Sequence, residues 1–214
     1  MAATYELIRQ GIKDLHLYVH SNGVAVDELI GAGCVKRLEI AYGGVGKATP
    51  TCIRFRKALE NNELESEDYS NFMMALRFMA GALGVPFLPT RSGLATDLAK
   101  QWGFPAEMRA AEPGIPDKKL VTIDNPFGDW HGASKVLLVP AITPDVSLIH
   151  VQKADEFGNC RIEGLTFADL EQAKASKEVI VTCEELVTSE ELRREPDRNQ
   201  LPMFHISAVC HVPY

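Results

Sequence analysis

Apolar and polar positions along this chain follow two rhythms that alternate with each other. Residues 2–10 place Leu7 and Ile8 at helix spacing and stop at Gly11, a residue that tolerates the left-handed cap. Residues 15–19 alternate with period two, as a strand does. The pattern predicts a helix over 24–32, closed by Gly31 and Gly33. A strand over 35–42 follows, running into the cluster Gly43-Gly44-Val45-Gly46. Pro50 opens a further helix, at a position where its missing N–H costs nothing, and this helix extends to about Glu60. Residues 71–83 carry Phe72, Met73, Leu76, Met79, Ala80 and Leu83, a helical stripe closed by Gly84.

Strands are predicted over 119–123, 135–139, 146–151, 179–183 and 206–212, with helices at 167–175 and 189–194 between some of them. Ser189 before Glu190 and Glu191 reads as an N-cap with acidic residues in the first turn. Strands of nearly continuous apolar character between helices predict an α/β fold with an open, largely parallel sheet buried by flanking helices. Residues 93–116, rich in Gly and Pro, leave that sheet. No internal repeat or linker divides the chain, which predicts one domain over 1–214.

Composition narrows the function classes. Of 214 residues, 46% are hydrophobic and 24% charged, the balance of a globular protein. The net charge is −7, which argues against non-specific nucleic-acid binding. An anionic ligand would need a local basic or backbone-amide site. The longest apolar run, 136–142, is broken by Pro140 and far too short for a membrane span. Five widely spaced cysteines with no Cys-x-x-Cys pair fit a reducing cytoplasm, with no disulfide or zinc framework.

Candidate chemistry is sparse. Gly46-Lys47 resembles the end of a Walker A loop, but Ala41 stands at its first glycine and Ala48 at its magnesium-binding hydroxyl. The cluster reads either as a plain turn or as a loop whose amides face a small substrate. The histidine pairs His16/His20 and His205/His211 lack any metal-site context. The carboxylate pairs are Asp155-Glu156 and Glu184-Glu185. The second follows an apolar strand, where one member could enter a cleft as nucleophile or base and the other must point away. Arg54, Arg56 and Lys57 form a basic helical run, read as a solvated face or as a contact for an acidic ligand.

Several segments in order resemble the A (alpha) subunit of family I coenzyme A-transferases, most closely the glutaconate CoA-transferase type. They are Ile8-Arg9-Gln10-Gly11-Ile12, Arg54-Phe55-Arg56-Lys57, Asp68-Tyr69-Ser70 and Leu83-Gly84-Val85-Pro86-Phe87-Leu88-Pro89. Ile123-Asp124-Asn125-Pro126-Phe127, Val139-Pro140, Ile149-His150-Val151-Gln152 and Gly158-Asn159 continue the set. Val181-Thr182-Cys183-Glu184-Glu185 and Ala208-Val209 through Pro213-Tyr214 complete it.

This resemblance implies an open CoA-transferase (NagB/RpiA-like) α/β fold. It also implies a cytoplasmic heteromer, a heterotetramer or larger, of A and B subunits, with no nucleic-acid or membrane partner. The implied activity is ping-pong transfer of CoA from an acyl-CoA to a free carboxylic acid through a glutamyl-CoA on the B subunit. CoA and acyl-CoA are then substrates, and no cofactor is permanently bound. No catalytic residue is assigned to this chain. The resemblance places Gly43, Gly44, Val45, Gly46 and Thr49 against the acyl group, with Arg91, Ser92 and Gly93 as a second part of the cleft wall. Against the family pattern the chain reads as shortened at both ends. Two alternatives stay open. One is the A-like subunit of a CoA-thioester ring-opening hydrolase of steroid degradation, whose own glutamate would stand near Asn71. The other is a non-catalytic assembly subunit.

Overall fold

The computed structural model describes residues 1–99 and 103–213. These residues gather into two compact units. The first comprises chiefly residues 3–77 and 86–141, the second 78–85 and 142 onward.

In the first unit, β1 (Leu15–Asn22), β2 (Val35–Gly43) and β3 (Glu65–Asp68) form a parallel sheet in the order β1-β2-β3. Helices α2 (Val24–Gly31) and α3 (Ile53–Glu60) flank it, and α1 (Ala2–Arg9) precedes it. Leu17 pairs with Leu38 and Val19 with Ile40. Leu38 and Ile40 bury against Val26, Ala58 and Leu64. A second, antiparallel sheet of order β4-β6-β5 is built from β4 (Phe87–Thr90), β5 (Val121–Asp124) and β6 (Lys135–Pro140). Helix α5 (Ala106–Ala111) lies in the connection between β4 and β5.

Helix α4 (Asn71–Leu83) has the bounds its apolar stripe predicts, and contributes residues 71–77 to the first unit and 78–83 to the second. Around its Arg77 lies a buried polar core. The Arg77 guanidinium pairs with Glu39 of β2, donates through Nε to the Pro140 carbonyl at 3.2 Å, and stacks 4.1 Å from the Tyr69 ring centre. Glu39 also meets His16 Nε2 at 2.9 Å. Burial opposes its ionisation, but Arg77 and His16 outweigh that and hold the Glu39 carboxyl below the usual range. Beside it, Glu67 of β3 accepts from Tyr69 Oη at 2.5 Å, from the Phe104 amide at 2.9 Å, and from Arg109 of α5. Burial, reinforced by Glu39 and Glu67, pushes the Tyr69 hydroxyl well above its ordinary pKa, so it stays a donor.

The second unit holds a sheet of order β10-β9-β7-β8, from β7 (Val146–Ala154), β8 (Cys160–Arg161), β9 (Glu178–Leu186) and β10 (Ala208–His211). Strands β10, β9 and β7 run parallel; β8 is antiparallel. Helices α6 (Asp169–Ala175) and α7 (Ser189–Arg193) accompany it. Ile149, Val151, Val179, Val181 and Cys183 form one core with Ala173 and Leu201.

Continuous apolar runs predict strands buried on both faces, and β7 departs from this. Ser147, Ile149 and Val151 are buried, whereas Val146 is 49% and Leu148 44% exposed. A strand's side chains alternate, and among the described residues only one face of this strand is covered. The α/β class with open sheets and flanking helices stands, but the single largely parallel sheet expected is three sheets, and the one holding residues 121–124 and 135–140 is wholly antiparallel.

The cap of α7 also differs from expectation. Thr188 accepts the Glu191 amide at 3.3 Å, while Ser189 Oγ donates to Asp155 Oδ2 at 2.8 Å. Asp155 is fully buried and also accepts from Phe157 N, Asn159 N and Asn159 Nδ2.

Replacing Arg77 by Met leaves Glu39 buried without its counter-charge. We expect a loss of about 3–5 kcal/mol in urea unfolding, partly recovered when Glu39→Gln is added. Burial opposes the Asp155 carboxylate, but its hydrogen bonds from Asn159, Ser189 and Phe157 prevail and lower its folded pKa. Its stabilisation is thus complete above the unfolded value of about 3.9 and is lost as pH falls toward the folded one. Asp155→Asn should flatten the decline of stability with acid, read by denaturant melts between about pH 5 and 3.

Candidate functional site

Two parallel strands of the first unit, β1 and β2, end together, and β3 stops three residues short of them. Asn22 closes β1 opposite Gly43, which closes β2, and Ile40 pairs with Asp68 at the end of β3. The carboxyl ends of parallel strands are where open α/β sheets place ligands. Gly44 N donates to the Asn22 carbonyl at 3.2 Å, and Cys52 N returns to the Gly43 carbonyl at 3.0 Å, closing the loop between β2 and α3.

Within that loop Val45 and Thr49 bridge each other. Val45 N donates to Thr49 O at 2.8 Å and Ala48 N to Val45 O at 3.1 Å. Gly46 turns the chain at φ +52°, leaving Gly46 and Lys47 at the exposed apex. The loop does not lead directly into a helix. Helix α3 begins at Ile53 with Cys52 as N-cap, so the lysine and helix terminus of a phosphate-binding P-loop are not joined.

Sequence reasoning passed over Gly23, although this site depends on it. A Cβ on Gly23 would stand 2.7 Å from both the Gly44 carbonyl oxygen and Val45 Cγ2. A Cβ on Gly44 would strike the Pro50 carbonyl. Two backbones therefore approach at the strand ends as only glycine permits. A glycine directly after an apolar strand and before a helix is the signal that would have found it. Ser21 Oγ lies 3.3 Å from Asn71 Oδ1, bringing the first residue of α4 to the same edge.

Arg91, Ser92 and Gly93 follow β4. Arg91 is exposed and donates through Nη1 to the His131 carbonyl. It lines an open cleft of about 480 Å³ with Thr122, Gly132, Ser134 and Lys135. Ser92 and Gly93 serve the turn instead. The Ser92 amide donates to Thr90 Oγ1 at 3.0 Å, and Gly93 adopts φ +89° where a Cβ would meet Met73. The eight residues thus form two groups, one at the β2 end and one after β4, bonded to different neighbours.

The other candidates have mostly structural roles. Glu184 meets His150 Nε2 at 3.2 Å, and Glu185 meets Lys153 at 3.5 Å. Arg54 pairs with Glu28 at 3.1 Å and Arg56 with Glu60 at 3.7 Å, which makes the basic run a solvated, ion-paired face. Cys34, Cys52, Cys160 and Cys183 are buried free thiols, and Cys210 is exposed. Burial, with Cys183 and Asp155 adding to it, pushes the Cys160 thiol up to about 12; burial and Asp27 raise Cys52. Such thiols keep their protons and are poor nucleophiles. No group of metal-ligating side chains occurs among the described residues, and none of their helices is long and apolar enough to cross a membrane. Tyr214, the last residue of the family-like C-terminal segment, lies outside the described residues.

The chain is similar to the A subunit of glutaconate CoA-transferase from Acidaminococcus fermentans, with 40% identity over 213 residues. The alignment covers 100% of this chain and 66% of that protein, so the chain spans about two thirds of its relative's length. The crystal structure of that glutaconate coenzyme A-transferase superposes with a TM-score of 0.93 over the same shares of the two chains. The A subunit of 3-oxoadipate CoA-transferase from Pseudomonas knackmussii is 37% identical, covering 99% of this chain and 68% of that one. A cholesterol ring-cleaving hydrolase IpdA subunit of Rhodococcus jostii is 29% identical, over 90% and 60%. The family model described as coenzyme A transferase matches residues 1–211, and the chain belongs to that family.

Proposed function

We propose that this chain is the A subunit of a heteromeric CoA-transferase, working in the cytoplasm as a heterotetramer or larger assembly with a B subunit. An acyl-CoA and a free carboxylic acid are its substrates, and it retains no cofactor between turnovers. The carrying observation is the Gly43–Thr49 loop. Backbone brought close by Gly23 and Gly44 stands at the carboxyl edge of a parallel sheet, in a chain matched along its whole length by CoA-transferase A subunits.

A carboxylate is a weak acceptor for a thiol, and a covalent relay divides the exchange into easier steps. A B-subunit glutamate attacks the thioester carbonyl, the C–S bond breaks, and CoA leaves as thiolate, with the acyl group now joined to the glutamate as a mixed anhydride. The thiolate then attacks the glutamyl carbonyl, releasing the first acid and forming glutamyl-CoA. The acceptor carboxylate reverses these steps and restores the glutamate. This chain's part is to shape the acyl side of the pocket through Gly43, Gly44, Val45, Gly46 and Thr49. Arg91, Ser92 and Gly93 support the second wall. The raised thiol of Cys160 and the paired Glu184 and Glu185 favour this division of labour, since each is engaged elsewhere. A ring-opening hydrolase would call for a carboxylate at the start of α4, where Asn71 stands beside Ser21.

Co-expression with a B-type partner should yield CoA exchange between an acyl-CoA and a carboxylate, with borohydride- or hydroxylamine-sensitive glutamyl-CoA found by mass spectrometry on the partner. Label on this chain, or full exchange by this chain alone, would refute the division. Hydrolysis of a cyclic CoA thioester without an acceptor acid would favour the hydrolase. Gly44→Ala should lower kcat/KM of the complex by roughly tenfold or more, because a displaced loop misplaces the acyl group. Gly46→Ala has open space for its Cβ and meets only its left-handed φ. It should cost about 1 kcal/mol of stability with a smaller effect on turnover.

A further inference from the structure

We propose that Thr182, His150 and Glu184 form an activated nucleophile on the open face of the second unit's sheet, where Thr182 accepts an acyl group from a thioester or activated ester. The register of the sheet sets side chains in rows across this face. Leu148, Ile180 and Ala208 share one row, and His150, Thr182 and Cys210 share the next. Glu184 stands two residues beyond Thr182 on β9 and so points to the same side. The alternate side chains Ile149, Val151, Val181 and Cys183 enter the core. All of these residues belong to the second unit, and none is among those given to the acyl-exchange pocket.

His150 engages both of its ring nitrogens. Nε2 meets Glu184 Oε1 at 3.2 Å, and Nδ1 meets Thr182 Oγ1 at 3.0 Å. A carboxylate only accepts hydrogen bonds, so in the neutral ring Nε2 holds the proton and Nδ1 is the acceptor. The Thr182 hydroxyl then donates to Nδ1. A nucleophile within reach of a base, with the base oriented by a third group, is the arrangement that activates a hydroxyl. The His150 side chain is 49% exposed and that of Glu184 22%, so the base is accessible while its orienting carboxylate is more shielded. His211 Nε2 donates to the Glu184 carbonyl at 3.2 Å and steadies the end of β9. A polar cross-strand pair contributes only about 0.2–1 kcal/mol to a sheet, so the fold does not depend on this array.

In the reaction, Thr182 Oγ attacks the acyl carbonyl while its proton passes to His150 Nδ1. The C–S or C–O bond of the donor breaks, and His150 returns the proton to the leaving thiolate or oxyanion. The products are a threonyl ester and a free thiol or alcohol. The neighbouring row of Leu148, Ile180 and Ala208 gives an aliphatic acyl chain an apolar surface to lie on. Strand β9 is paired on both sides, by β10 and β7, so its own amides are engaged in the ladder and supply no oxyanion hole. Lacking such a donor costs about 10²–10³ in rate, which suits the array to a slow, single acylation and not to rapid turnover.

The test is mass spectrometry on the full chain after incubation with S-butyryl-N-acetylcysteamine, a thioester that carries no nucleotide, and with p-nitrophenyl butyrate. The proposal expects one butyryl group, mapped to Thr182 and absent from Thr182→Val. His150→Ala should lower the labelling rate by about a hundredfold. Glu184 is a positioning residue: Glu184→Ala should slow labelling by about tenfold, and Glu184→Gln should recover part of that loss, because its amide oxygen still accepts from Nε2. The proposal is overturned if no butyryl group attaches to Thr182, if the label sits on Cys210 or on lysines instead, or if His150→Ala labels at the parent rate. The label is an acyl group without CoA, so it is distinct from a glutamyl-CoA intermediate, and this proposal and the acyl-exchange reading can each fail without the other.

Discussion

The pairing of Arg77 with Glu39 fixes the first unit more than any other contact. Two charges taken from water lose several kcal/mol of hydration each, and they are tolerated only where geometry returns it. Here one guanidinium reaches β2 through Glu39, the end of β6 through the Pro140 carbonyl, and the turn after β3 through the Tyr69 ring. A hydrophobic contact at this position would be indifferent to small slips of α4. The ion pair is not, because its donors have fixed directions. A second buried carboxylate, Glu67, extends the same constraint to the Phe104 amide and to α5 through Arg109. Charges thus set the relative register of β2, β3, β6 and α4, and apolar residues fill the space between.

That register leads directly to the candidate site. Glu39 lies four residues before Gly43 on β2, and Pro140 lies at the far end of the strand that begins at Lys135. Rigid elements hold a functional loop more accurately than a loop holds itself. The loop at Gly43–Thr49 spends the amides of Val45, Ala48 and Thr49 on its own hydrogen bonds. Its shape is therefore prepared before any ligand arrives, which lowers the cost of ordering it on binding.

Much of this was legible in the sequence where apolar periodicity speaks. The stripe of α4, the strand leading to Gly43 and the strand at Val179–Cys183 each carry a clear rhythm, and each forms an element. Strand β3, with the sequence Glu65-Ser66-Glu67-Asp68, was invisible to that signal, because its inward side chain is a carboxylate paired with Arg109. Strand β4 was hidden by Pro89, which breaks a strand on paper but not in an antiparallel pair with Leu138. Thr188, not Ser189, caps α7, because Ser189 is drawn to the buried Asp155; that choice depends on a residue far away in sequence. The glycine cluster and Arg91 were readable as candidates. Lys135 was not, since a lysine opening an apolar strand looks like any solvated end until the fold sets it beside the same cleft.

The remaining electrostatic question is which cations keep an uncancelled charge. Arg37 is bridged to Glu65 and Glu112, Arg109 to Glu67, Arg161 to Glu195, and Lys153 to Glu185 and Glu191. Each such pair is nearly neutral at a distance and contributes little to the field felt by an approaching anion. Arg91 differs in kind. Among the described residues it makes no ion pair, and its guanidinium is steered by a carbonyl dipole. In a protein of net charge −7, the acidic surface repels anions generally, so an uncancelled cation inside a cleft acts as a local exception.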